Sequence, residues 1–318
     1  MKILIYISGN PAHEWANVAS TFPEHEFLYA ANADEAAAAI PEAEILVSEG
    51  ASIEAAVLDR AQKLEWLQVA SAGVERLATI DMFHSGRVTV TNARVLLATH
   101  VAETAVGLLT ALTRGIAYAA LQQAAHRWDH TYAYDELADK RALVIGTGGI
   151  GRAVGKRYQG LEMHVKGVDI VKADPDEDVP LIHPISDLSR LLPSTDVLTI
   201  CCPHTEETHH LIDSTALEAL PDDAYVINVS RGKVVDTKAL AHALRNGTLR
   251  GAGLDVVEEE PLPPESDLWD VPNLVITPHM AGRSPRRRER IQAFVTENIN
   301  RYIQGEPLLN LVDTTVGY

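Results

Sequence analysis

The stretch that most restricts what this chain can fold into runs from Arg141 to Asp169. Ala142-Leu143-Val144-Ile145 is an apolar run of the length of one buried strand. It leads directly into Gly146-Thr147-Gly148-Gly149-Ile150-Gly151, a G-x-G-x-x-G. Beyond the glycines, Ala153, Val154, Tyr158 and Leu161 recur at helical spacing and Gly160 offers a stop. Val165 to Val168 then predict a second strand, which ends at Asp169. Glycine-rich turns are common, so the glycine motif alone is weak. Strand, glycines, helix, strand and acid in this order define a dinucleotide-binding βαβ unit. Gly146 permits the tight turn, Gly148 lets backbone approach a pyrophosphate, and Gly151 lets helix and strand pack closely. With Gly149 and Ile150 they open a helix whose free N–H groups and positive dipole end hold phosphate. Asp169 stands where an acid accepts hydrogen bonds from the adenosine ribose hydroxyls. A carboxylate there repels a 2′-phosphate, which selects NAD over NADP; Lys172 nearby leaves some tolerance for NADP.

Around this unit the chain alternates. Residues 2–7 start a series of short strands, with others at Glu26–Tyr29, Ile45–Ser48, Trp66–Ala70 and Val88–Thr91. Alanine-rich helical stretches at Glu35–Ile40 and Ile53–Arg60 lie between them. A helical pattern from Thr99 to about Ala125 marks the crossing into a second domain, with Val101, Ala105, Leu108, Leu109 and Leu112 on one stripe. After Asp169 strands are expected at Leu181–Pro184, Val197–Cys202, Tyr225–Val229, Gly253–Asp255 and Leu274–Thr277. A last helix, with Ser284 as N-cap, Pro285 in the first turn and Gly305 as stop, comes after the nucleotide domain and could return to the first one. Interleaving of this kind predicts an α/β fold of two doubly wound parallel-sheet domains. One is discontinuous, residues 1–98 plus 285–318, and the other spans residues 99–284.

With 318 residues the chain can support two cores. The net charge of −17 argues against nucleic acid or anionic membrane as a partner, since both are polyanions. Cys201 and Cys202 are adjacent in an apolar run, which disfavours a mutual disulfide and favours a reducing compartment. The opening MKILIYISGN is too short an apolar run for a signal peptide, and no stretch reaches membrane-spanning length, so the expected location is cytoplasmic.

In a doubly wound sheet, ligands bind beyond the carboxyl ends of the strands. Three charged groups fall there: Arg231 in Val226-Ile-Asn-Val-Ser-Arg-Gly, the acidic cluster of Gly253-Leu-Asp-Val-Val-Glu-Glu-Glu260-Pro, and His279 after Leu274-Val-Ile-Thr-Pro. A planar guanidinium suits a carboxylate or 2-oxo acid. A histidine paired with a carboxylate is the usual proton donor and acceptor near neutral pH. Beside a nicotinamide, such groups suit hydride transfer at a carbonyl or carbinol carbon. His209-His210 invites a metal reading, but adjacent side chains on a helix or strand point apart and no third ligand has suitable spacing; no metal is expected. The run Arg283, Arg286, Arg287, Arg288, Arg290 reads as a solvated helix face, with a minority reading that Arg283 or Arg286 draws in anionic substrates.

The ordered motifs GTGGIG…D, NVSRGKVVD, GLDVVEEEPLP and PNLVITPH resemble the NAD-dependent D-isomer-specific 2-hydroxyacid dehydrogenases. The likeness extends from Ser71-Ala-Gly-Val to the closing NLVD…GY, an ending like that of the bacterial glyoxylate/hydroxypyruvate reductases. It implies a Rossmann NAD domain and a flavodoxin-like substrate or lid domain, with a cleft that closes on binding. It also implies transfer of a hydride between NAD(H) and a small 2-oxo or 2-hydroxy acid of D configuration. By this resemblance Arg231 binds and polarises the substrate, His279 is the general acid/base and Glu260 its partner. Glu258 and Glu259 compete for that last role, and the family pattern, which puts the partner directly before the proline, selects Glu260. Asp255 would face the nicotinamide carboxamide, and Ser71, Ala72 and Gly73 would hold the substrate carboxylate. Cys202 and Pro203 match the family's loop over the cofactor, with His204 standing where an apolar residue is usual. Thr208, Val229, Ser230 and His279 would complete the cofactor wall, and a homodimer through the nucleotide domain is implied. Rival readings are a formate- or phosphite-type dehydrogenase and a non-enzymatic NAD-sensing protein of corepressor type.

Overall fold

The computed structural model describes residues 1–50, 53–71, 73, 74, 77, 80–170 and 174–313. The chain divides into two compact units, Met1–Leu97 with Ser284–Tyr318, and Ala98–Arg283.

The first unit is built on five parallel strands: β1 Lys2–Tyr6, β2 Glu26–Ala30, β3 Ile45–Ser48, β4 Trp66–Val69 and β5 Thr89–Thr91. Their order is β2-β1-β3-β4-β5, the flavodoxin-like arrangement. Period-two alternation explains the near-continuous apolar strands. Leu4, Leu46, Leu67 and Val90 serve one core. Ile3, Ile5, Ile45, Val47 and Trp66 serve the other, together with Ile291, Val295 and Ile299 of the C-terminal helix. That helix spans Arg287–Gln304, with Arg286 at the N-cap position. Ser284 does not cap it as expected. Its hydroxyl accepts the Arg286 N–H at 3.2 Å, closing a turn around Pro285, so the helix starts two residues later than expected. Gly305 does stop it, at φ +68°. The helix 33–39 starts earlier than expected because Asn32 caps the Glu35 N–H while the Glu35 carboxylate accepts the Ala31 N–H.

The second unit has seven parallel strands: β6 Arg141–Ile145, β7 His164–Asp169, β8 Ile182–Pro184, β9 Val197–Ile200, β10 Tyr225–Asn228, β11 Gly251–Leu254 and β12 Leu274–Ile276. Their order is β12-β11-β10-β9-β6-β7-β8, so the winding reverses between β6 and β9. Strand β11 begins two residues before the expected Gly253, because glycines there admit a helix. A Cβ on Gly253 would lie 2.8 Å from Leu108 Cβ. The single helix expected over residues 99–125 is two, Ala98–Thr113 and Ile116–Ala124, bent by 67°. The break falls at Gly115, at φ +63°, where a Cβ would strike the Tyr132 ring at 2.6 Å. Tyr132 fixes the bend by donating its hydroxyl to Leu112 O at 2.7 Å. Among the described residues no single helix is long and apolar enough to cross a membrane.

The first unit also buries a polar network. Trp66 Nε1 donates to Thr91 Oγ1, which donates to Gln68 Oε1, each at 2.8 Å. Asn298, fully buried, donates Nδ2 to the same Gln68 oxygen and to Leu309 O, and accepts the Leu309 N–H at 2.8 Å. It thereby ties the C-terminal helix to both sheet and tail. Asn298→Ala orphans the Leu309 N–H and is expected to cost about 2–3 kcal/mol. The urea midpoint should fall with the slope unchanged; an unmoved midpoint would show that water replaces these bonds freely.

Candidate active site

The glycine turn comes directly after β6. Gly146 sits at φ +84°, and a Cβ there would be 2.7 Å from Cys202 N. A Cβ on Gly151 would lie 1.9 Å from Gly146 O, so strand and helix meet backbone to backbone. Above Gly148 there is nothing within 4 Å. Gly148 is the N-cap of helix Gly149–Gly160, and no side chain caps that end. Asp169, at the end of β7, accepts the Thr147 N–H and hydroxyl at 2.6 and 2.8 Å, which places its carboxylate beside the glycine turn. Open space, uncapped N–H groups and a carboxylate on the neighbouring strand fit the diphosphate and ribose of a dinucleotide. Lys172 lies outside the described residues.

Past β9, Cys202 is 5% exposed and Thr208 1%. Thr208 Oγ1 donates to Pro203 O at 2.8 Å and accepts the Thr205 N–H at 2.7 Å, fixing the Pro203–Thr208 loop. His209 and His210 do not point apart. They occupy a turn, with His210 at φ +48°, and their rings stack with centroids 4.2 Å apart. His209 Nδ1 lies 3.1 Å from His204 Nε2, while His210 Nε2 pairs with Glu258 at 2.9 Å. Among the described residues no group of three or more His, Cys, Asp or Glu could hold a metal ion.

Past β10, Val229 and Ser230 are buried. Asn228 staples this turn: its Oδ1 accepts the Ser230 N–H and hydroxyl, and its Nδ2 donates to Arg231 O at 3.0 Å. Arg231 is half-buried and donates Nη1 to Ser230 O at 2.8 Å. A Cβ on Gly232 would lie 2.0 Å from Val257 C and O. The turn that carries Arg231 therefore packs, through Gly232, directly on the backbone of Val257 and Glu258.

Past β11 and β12 the acids separate by partner. Glu260 Oε2 accepts from His279 Nδ1 at 2.6 Å, and Glu260 Oε1 accepts the Val257 N–H at 3.1 Å. The Glu260–Pro261 peptide is cis. Glu258 accepts the Thr237 N–H and pairs with His210. Burial pushes its pKa up, but His210 and the Thr237 amide outweigh that and hold it below the usual carboxylate range. Glu259 is exposed. Asp255 is 1% exposed, and its carboxylate accepts from Thr277 Oγ1 at 2.5 Å, Met280 N at 3.0 Å and Ala281 N at 2.9 Å. Those bonds hold the turn that carries His279. His279 itself is at φ +48°, costly for a β-carbon residue, and is pinned by its N–H to Asp255 O at 2.8 Å. With Nδ1–H donated to Glu260, Nε2 is the nitrogen left to exchange protons. Asn228 and Thr277 were not singled out from sequence; a polar residue at the buried end of an apolar strand was the signal.

In the first unit, Ser71 comes after β4 and its hydroxyl donates to Gly73 O at 3.2 Å, while Ser71 O accepts the Ala93 N–H. Ala72 lies outside the described residues.

Burial pushes the Cys202 thiol up to about 12. Alkylation needs the thiolate. Cys202 is therefore expected to resist iodoacetamide at pH 8 in the native protein and to react once urea unfolds it, as peptide mapping would read. Labelling of native Cys202 at the unfolded rate would refute this packing of the loop.

Residues 106–281 match the model of the D-isomer specific 2-hydroxyacid dehydrogenase NAD-binding domain. A glyoxylate reductase from Thermofilum pendens is 35% identical over 269 residues, 83% of this chain and 79% of that one. A D-isomer specific 2-hydroxyacid dehydrogenase family protein from Aeromonas salmonicida superposes with a TM-score of 0.85 at 30% identity, covering 98% of this chain and 99% of that one. An NADPH-dependent glyoxylate/hydroxypyruvate reductase from Sinorhizobium meliloti, solved with NADP and sulfate, gives 0.84 at 25% identity over 100% of both chains. A glycine turn bearing an acid on the next strand, a histidine–glutamate pair and an arginine on the same sheet edge, and these relatives agree: the chain belongs to the D-isomer specific 2-hydroxyacid dehydrogenase family.

Proposed function

We propose that this chain is an NADH-dependent reductase of small 2-oxo acids, of the glyoxylate or hydroxypyruvate type, yielding glycolate from glyoxylate and the D-2-hydroxy acid from larger substrates. The observation that carries the reading is the 2.6 Å His279–Glu260 pair, held past strand β12 on the same edge as Arg231. NADH supplies a hydride to the substrate's carbonyl carbon when bound. Gly146, Gly148, Gly149, Ile150 and Gly151 receive the diphosphate, and Asp169 the adenosine ribose. Cys202, Pro203, Thr208, Val229, Ser230 and Asp255 shape the rest of the cofactor wall. Arg231 orients the carboxylate and draws charge toward the carbonyl oxygen. His279 Nε2 gives that oxygen its proton. Glu260 keeps the imidazole in the Nδ1–H tautomer and stabilises its charged form before the transfer. Ser71, Ala72 and Gly73 are assigned the substrate carboxylate in the first unit. Asp169 supports NAD over NADP by charge repulsion. The free thiols of Cys201 and Cys202 accord with a reducing, cytoplasmic compartment.

NADH oxidation with glyoxylate, hydroxypyruvate, pyruvate, phenylpyruvate and 2-oxoisocaproate tests this, repeated with NADPH. Glyoxylate and hydroxypyruvate should give the highest kcat/KM, and NADH should exceed NADPH. His279→Ala should lower kcat by about 100-fold or more, the usual weight of a positioned proton donor. Glu260→Gln should lower kcat with little change in NADH affinity. Tight NADH binding with no turnover on any of these acids would replace the reductase reading by a cofactor-sensing one.

The second unit also supports a homodimer. Ile116 (56% exposed), Leu121 (69%), Trp128 (98%) and Tyr134 (53%) present apolar surface within one short stretch. Trp128 is held out, since the neighbouring Asp129 accepts the Tyr118 hydroxyl at 2.6 Å and the Thr131 N–H at 2.8 Å. The Tyr118 hydroxyl chiefly, with the Thr131 amide, holds the Asp129 carboxyl down at about 2. Sedimentation should show a dimer, and Leu121→Arg with Trp128→Glu should give a folded monomer. A monomeric parent protein would sink the proposal.

A further inference from the structure

The first unit has a switch point of its own. Its strand order reverses at β1, between β2 and β3, and in open α/β sheets the crevice beyond the carboxyl ends at such a point is where ligands bind. A cavity of about 160 Å³ lies there, lined by residues just past β1 and β3 and by the first turn of helix Arg287–Gln304. That volume holds several waters, and so a molecule of a few heavy atoms.

Its charges are paired unevenly. Arg288 is matched by Glu14 at 3.1 Å. Arg287 donates Nη2 to Ala70 O at 2.8 Å, and Glu49 accepts the Ser8 hydroxyl at 2.8 Å. Among the described residues neither Arg287 nor Glu49 has an ion-pair partner. One wall thus offers a guanidinium with further N–H donors and another a carboxylate with acceptor capacity, while Trp15 and Ile291 give an apolar floor. A lone anion would meet Glu49 and a lone cation would meet Arg287. A ligand carrying both charges a few ångströms apart answers both.

We propose that this cavity is a second small-molecule site, which takes a small zwitterionic α-amino acid. The α-carboxylate faces Arg287, the α-ammonium faces Glu49, and a short side chain rests on Trp15. Arg287 also holds the carbonyl that precedes Ser71, so occupancy bears on the end of β4 and on the start of the turn that Ser71 opens.

Calorimetry on the full chain, without cofactor or 2-oxo acid, tests this whether or not the reductase reading holds. The probes are glycine, L-alanine and D-alanine, against acetate and methylamine. At least one amino acid should bind saturably at one site per chain. Acetate and methylamine should each bind about tenfold more weakly or worse, the loss of one charge-assisted hydrogen bond. Glu49→Gln, at an exposed position, should weaken the amino acid by a similar factor, and Arg287→Lys should keep part of the binding that Arg287→Gln loses. Folding of each variant is checked by its thermal midpoint. Equal binding of acetate and alanine, binding indifferent to Glu49→Gln, or no saturable heat with any of the three amino acids would each overturn the proposal.

Discussion

The second unit depends on one buried carboxylate. Asp255 lies at the end of β11 with almost no contact with water, and it remains there because three donors from the 277–281 segment converge on it. A buried charge without such donors would cost several kcal/mol. With them it becomes a template: its backbone oxygen takes the His279 N–H, its side chain takes the residues on either side, and His279 is forced into a left-handed conformation. The histidine's direction is thus set by backbone bonds to a rigid strand, and Glu260 has only to fix the ring. The constraint on the imidazole thus originates one strand away from the residue that carries it.

A second constraint is absence of room. At Gly146, Gly151 and Gly232 the backbone of one segment sits where another residue's Cβ would be. The first two bring the glycine turn after β6 onto its strand and onto Cys202. The third brings the arginine-bearing turn onto the glutamate-bearing one. These contacts transmit position without side chains, so small shifts in one turn are felt directly by the other.

The parts of this architecture that depend on short-range patterning were legible from the residues. Apolar runs such as Ile45–Ser48 and Val197–Ile200 have the length and β-branched content of buried strands, and the glycine turn after β6 fixes where the next helix begins. What escaped were features decided by distant atoms. The bend at Gly115 depends on Tyr132, seventeen positions away in sequence, and the late start of helix Arg287–Gln304 depends on Ser284 choosing the Arg286 amide over a helical one. The stacking of His209 on His210 needed the knowledge that the pair sits in a turn. At the site, Glu260 could be told from Glu258 only by family pattern, whereas in space His210 and Thr237 occupy Glu258 and leave His279 to Glu260. Asn228 was hidden for the opposite reason: it lies inside a strand motif whose apolar neighbours draw the eye.

The first unit is assembled from both ends of the sequence, and this has a consequence for synthesis. On the ribosome, Met1 to Leu97 emerge carrying a complete five-stranded sheet, with one face covered only in part, by Trp15, Val18 and Phe22. Ile3, Ile5, Ile45, Val47 and Trp66 wait for Ile291, Val295 and Ile299, which come after the whole second unit. At ordinary elongation rates that interval is roughly ten to forty seconds. During it the second unit, contiguous from Ala98 to Arg283, can fold as one body, while the sheet that precedes it stands with an apolar face partly open to chaperones or to neighbouring chains. The closing helix acts as a final clasp, and a nascent chain cut short before residue 287 would keep that face exposed.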